Sequence, residues 1–151
     1  MNRELIYKYF DDDDFLVISN KIKDAEKKTS GEIRVSIKEK RKLIEYNKPI
    51  RKLAEKEFVK MGMQNTRDKT GILLYILLSE RQFYILADEG INSKVEQSTW
   101  DKIRDEIQFD FKDGKFTEGI VSCIDKVATI LAEFFPIKID DTNELSNKVE
   151  F

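Results

Sequence analysis

Histidine is absent from this 151-residue chain, and cysteine occurs once, at Cys123. The first absence removes a Ser-His-Asp triad, a phosphohistidine intermediate and most transition-metal sites, which depend on imidazole. The second removes any internal disulfide and any cysteine-rich zinc site, and with them the sign of an oxidising compartment. No apolar run approaches the roughly 18 residues of a membrane helix. The N-terminal stretch "MNRELIYKYFDDDD" lacks the apolar core of a secretion signal. The expectation is a cytoplasmic protein with no membrane insertion. Neither charge sign is in large excess: 27 basic and 29 acidic side chains leave a net −2. No global field therefore draws the chain to nucleic acid or anionic lipid. The basic run "KEKRK", Lys38 to Lys42, with the lysines from Lys48 to Lys60, reads as a solvated loop and helix end. Walker, dinucleotide-binding and EF-hand spacings are missing, and aromatics do not interleave with basic residues as in RNA readers.

What is present describes one globular domain, with 40% apolar and 37% charged residues. Phe15, Ile18, Ile22 and Ala25 recur at helical spacing and predict a first helix from Asp14 to about Lys28. The acidic run Asp11–Asp14 lies where the helix dipole favours it, and Gly31 suits a helix terminator. In "EIRVSIK" the period changes to two, giving a strand with Ile33, Val35 and Ile37 on its apolar face. A second helix is expected near Pro49, lined by Ile50, Leu53, Ala54 and Phe58. "GILLYILL", Gly71 to Leu78, is apolar throughout and reads as a central strand covered on both faces. "QFYILAD" returns as its hairpin partner after the turn "SER". Two further helices follow. Ser98 and Asp101 are expected to form a capping box for the stripe Trp100, Ile103, Ile107 and Phe111. A longer helix then runs from Phe116 towards Pro136, with Cys123 on its apolar stripe as an inert core thiol. Residues 1–136 are thus expected to form the domain. Residues 137–151 form an acidic tail with Leu145, Val149 and Phe151, either packed back or offered to a partner.

The strand ends raise a question of function. The short turn makes the second and third strands antiparallel, so Asp88 and Glu89 return to the loop carrying Asp68, Lys69 and Thr70. A right-handed crossover through the second helix would make the first two strands parallel and bring Glu32 to the same margin. Glu32, Asp68, Asp88, Glu89 and Asn92 then become candidate ligands at one rim, with Gly90 permitting a bent backbone. Oxygen donors on loops suit calcium, which takes about six to eight such ligands. Relief of the acids by Lys69 or Arg67 is the competing reading.

The segments "KKTSGEIRVSI" and "DKTGILLYILLSERQFYILADEGIN", with Phe111, Gly114, Phe116 and Gly119 at F-x-x-G-x-F-x-x-G spacing, resemble the TPM domain family over about Phe15 to Phe135. The resemblance implies an α/β fold, a three-layer α/β/α sandwich with a small mixed central sheet flanked by helices. It also implies calcium binding, associated with some members, or an acid phosphatase activity, associated with thylakoid lumen members. The exported members' signal sequence and glycine-rich tail have no counterpart here, which favours a cytoplasmic branch. Strand three ends "Ala-Asp-Glu-Gly-Ile-Asn" where those members have nearer "Gly-Tyr-Gly-Leu-Glu". No residue is carried over as catalytic. Three functions follow as expectations: a calcium-binding module, a metal-assisted phosphomonoesterase, and a domain that engages a protein partner through its acidic rim or tail.

Overall fold

The computed structural model describes residues 3–137 and 149–151. A three-stranded sheet, β1 (Glu32–Lys38), β2 (Gly71–Leu77) and β3 (Gln82–Ala87), lies in that spatial order. β1 and β2 are parallel, with Glu32 opposite Gly71, and β2 and β3 are antiparallel, with Ile72 opposite Ala87. Among the described residues six α-helices surround it: α1 (Glu4–Tyr9), α2 (Asp12–Glu26), α3 (Ile50–Lys60), α4 (Glu89–Asn92), α5 (Gln97–Lys112) and α6 (Phe116–Phe134).

The two-residue period of the strands divides the core in two. Ile33, Val35, Ile37, Ile72, Leu74, Ile76, Phe83 and Ile85 pack with the apolar stripes of α2, α5 and α6. Leu73, Tyr75, Leu77, Tyr84 and Leu86 face the other way, against Leu53, Ala54 and Phe58 of α3 and against Met63. Three layers result, and one of them is a single helix. Cys123 is 1% exposed, and burial pushes its thiol pKa up, so it belongs to the core.

Local physics accounts for the departures from the sequence pattern. α1 is too short to show a period, yet it buries Ile6 and leads into the buried Phe10. α2 begins two residues before the expected Asp14 because Asp11 and Asp14 form a reciprocal capping box, each carboxylate accepting the other's backbone N–H. Gly31 does not terminate that helix. A Cβ at Gly31 would stand 3.0 Å from Leu131 Cδ1, so the glycine serves the approach of α6 to the sheet. Ser98 and Asp101 form no capping box either. α5 starts at Gln97 with Glu96 as its N-cap, two residues before Ser98, and Asp101 accepts from the Gln97 side chain instead.

The chain end returns to the sheet. The Ile37 N–H donates to the Glu150 carbonyl at 2.8 Å, and the Glu150 N–H donates to the Val35 carbonyl at 3.0 Å, so the open edge of β1 is paired. Phe151 stacks on Phe15 with ring centroids 4.9 Å apart and lies under the Arg3 guanidinium. The expected contribution of Leu145 falls outside the described residues.

Candidate functional site

Parallel pairing of β1 with β2 and the β2–β3 hairpin carry three backbone segments to one margin of the sheet. The Glu32 N–H donates to the Thr70 carbonyl and the Asp88 N–H to the Gly71 carbonyl, both at 2.9 Å. Glu32 and Asp88 therefore flank the first residue of β2 on opposite sides, about 10 Å apart at two strand spacings. Gly71 offers no side chain between them. Its open face is filled by Met63, whose Cε lies 3.4 Å from where a Cβ would stand.

The five candidate residues occupy different environments. Asp88 caps the short helix α4, its Oδ1 accepting the Glu89 N–H at 2.8 Å. Asn92 lies one turn on, where i and i+4 side chains share a face. Its amide donates to the Ala87 carbonyl at 3.0 Å. The remaining oxygens of this pair, Asp88 Oδ2 and Asn92 Oδ1, are buried and accept no hydrogen bond. Glu32 is 5% exposed on the α3 side of the sheet. Asp68 and Glu89 are exposed, and the Asp68 carboxylate is 3.5 Å from Arg67. Among the described residues no group of three or more acidic or cysteine side chains is placed to hold a metal ion together.

Backbone oxygens complete the picture, and no side-chain pattern announces them. Lys69 takes a left-handed conformation, φ 58°, unusual for a residue with a Cβ. The loop turns there so that the carbonyl oxygens of Asp68 and Lys69 lie against Gly90. Any Cβ at Gly90 would collide with both. Gly90 has an ordinary negative φ, so it is required for close approach and not for the bend that its sequence context suggests.

Charge at the rim is balanced only in part. Burial raises the Asp88 pKa, and the Glu89 carboxylate raises it further. The Glu89 backbone N–H and the Lys69 ammonium act against that shift. Lys69 itself donates its Nζ to the Gln64 carbonyl at 2.5 Å, so its closest partner is an uncharged oxygen.

Comparison with known proteins agrees with this fold. The model of one protein family, described as the TPM domain, matches residues 7–130. The BA42 protein of the psychrophilic bacterium Bizionia argentinensis, solved by NMR, superposes with a TM-score of 0.83 at 36% identity, over 94% of each chain. The N-terminal domain of a P. gingivalis protein superposes with a TM-score of 0.69 at 16% identity, over 84% of this chain and 79% of that one, and shares the fold. Among curated proteins none matches the chain.

Proposed function

The chain belongs to the TPM domain family, and from that premise we propose that it is a calcium-binding module whose site is the rim between the Asp68–Thr70 loop and α4. One observation carries the reading: Asp88 Oδ2 and Asn92 Oδ1 are buried one helical turn apart with no donor. A buried acceptor without a partner costs free energy, on the order of 1–3 kcal/mol, and a cation removes that cost at both oxygens together. The donor set is oxygen only, and it matches a hard cation. Asp88 would supply the charged ligand, Asn92 a neutral one, and the Asp68 and Lys69 carbonyls stand in the same neighbourhood. Water would complete the coordination. Glu32, Glu89 and the Asp68 carboxylate would act from farther out, raising the local concentration of cation.

A site with one close carboxylate is a weak site. Calcium affinity follows ligand charge and rigidity, and a dissociation constant of roughly 10⁻⁴ to 10⁻³ M is expected. Calorimetric titration of calcium into the protein tests this. One saturable event, lost in Asp88→Ala, supports the reading, and an Asp88→Ala protein that titrates like the parent contradicts it.

Phosphomonoester hydrolysis at the same rim is the second reading. Its support is that burial raises the Asp88 pKa at this rim, with the Lys69 ammonium near enough to oppose the shift and to attract a phosphoryl group, so that Asp88 or Glu89 would act as nucleophile or base.

A further inference from the structure

The connection between β1 and α3 is inside out. In the turn Leu43–Glu45 the acid is buried and the apolar residues are exposed: Glu45 is 8% exposed, against 97% for Leu43, 72% for Ile44 and 75% for Tyr46. This is not a loose loop. Glu45 turns inward, where its carboxylate accepts the Lys42 N–H at 2.9 Å and stands 3.6 Å from Lys56. Arg41 ties the loop down from below. It makes two hydrogen bonds to the Glu80 carboxylate, at 2.5 and 3.1 Å, and donates to the carbonyls of Glu45 and Lys48. Polar bonds are thus used to hold three large apolar side chains out in water. A cleft of about 640 Å³ opens beside them between α3 and the sheet, yet Leu43 at its lip stays uncovered.

The surroundings define what such a tip fits. Residues 38–60 hold nine basic and four acidic side chains, a local +5 in a chain whose net charge is −2. Lys40, Lys42, Lys48 and Lys60 have no ion pair among the described residues. Exposed apolar side chains in a segment whose lysines have no ion pair among the described residues match a bilayer in both respects. The tip enters the acyl boundary, and each lysine gains from anionic headgroups. An acidic protein groove would answer the charge but would need its own apolar pocket for three protruding residues.

We propose that the loop Lys40–Lys48 docks the protein on the surface of an anionic lipid bilayer, with Leu43, Ile44 and Tyr46 inserted shallowly and the flanking lysines on the headgroups. This is a peripheral contact. Among the described residues no helix is long and apolar enough to cross a membrane.

Vesicle flotation tests the proposal, using phosphatidylcholine alone and phosphatidylcholine mixed with phosphatidylserine, at low and high salt. The protein is expected to float with the serine-containing vesicles at low salt and to be released by salt. A Leu43→Ser/Ile44→Ser variant, which removes no buried contact, is expected to keep its melting temperature and lose about tenfold or more in binding. Lys40→Gln/Lys42→Gln should weaken binding to a similar degree. In a Tyr46→Trp variant the added emission should shift to the blue on these vesicles, against the constant background of the fully buried Trp100. No binding to anionic vesicles overturns the proposal, whatever protein the loop captures. So does binding that survives Leu43→Ser/Ile44→Ser while the Tyr46→Trp variant shows no blue shift, because that result is adsorption by charge alone.

Discussion

Gly90 lies directly against the backbone carbonyl oxygen of Asp68, with no room for a Cβ between them. The contact locks α4 onto the loop before β2, and Asp88 and Asn92 at the two ends of α4 are positioned by it. Gly90→Ala must push the two segments apart. The expected loss is about 1–3 kcal/mol, typical of overpacking against atoms that cannot move aside, read by urea denaturation. The same variant should lose calcium binding although no ligand side chain has changed.

Asp88 should make stability depend on pH in a specific direction. Its folded pKa is raised above the ordinary carboxylate value, chiefly by burial. Between those two values the native state holds the proton more tightly, so stability falls as pH rises through that window. Asp88→Asn keeps the helix cap and removes the charge. Melting curves without metal should therefore show the variant at least as stable as the parent above the window. With millimolar calcium the order should reverse, because only the parent is stabilised by the ion.

A phosphatase at this rim would also depend on the Asp88 carboxyl group, but with a different readout. With a generic phosphomonoester, activity in the parent that disappears in Asp88→Asn would place the chemistry at Asp88. If Asp88 is a calcium ligand only, the parent and variant should both be inactive in this assay.

The chain end should prove structural. Deleting residues from Val149 onwards removes two backbone hydrogen bonds to the edge of β1 and the stacking of Phe151 on Phe15. A loss of about 1–3 kcal/mol is expected from the bonds and the aromatic pair together. Thermal denaturation measures it, and an unchanged melting temperature would contradict this role.

The sheet was legible because its signals are local and strong. The alternation in "EIRVSIK", the continuous apolar run from Gly71 and the short turn after it specify strands, facing and direction, and the intervening helix makes β1 and β2 parallel. The common margin of Glu32, Asp88 and the Asp68 loop followed from that topology. Its interior did not. Met63 fills the space over Gly71, and no side-chain period reveals a residue in a short 3₁₀ turn. The Asp68 and Lys69 carbonyls belong to the backbone and leave no residue-type signature, while the left-handed Lys69 lacks the glycine that would have marked it. The exposed turn at Leu43 was hidden for a related reason. Composition counts Leu43, Ile44 and Tyr46 as core material, and only the packing of Glu45 and Arg41 turns them outward.

The most direct test of the calcium site is a calcium titration followed by ¹H–¹⁵N NMR, repeated with Asp88→Asn. The amides of Asp68 to Thr70 and of Asp88 to Asn92 should shift together along one saturable curve, and the substitution should abolish those shifts. Shifts spread over the acidic surface, for instance at Asp11–Asp14, or a response that Asp88→Asn leaves unchanged, would contradict a cation held at this rim.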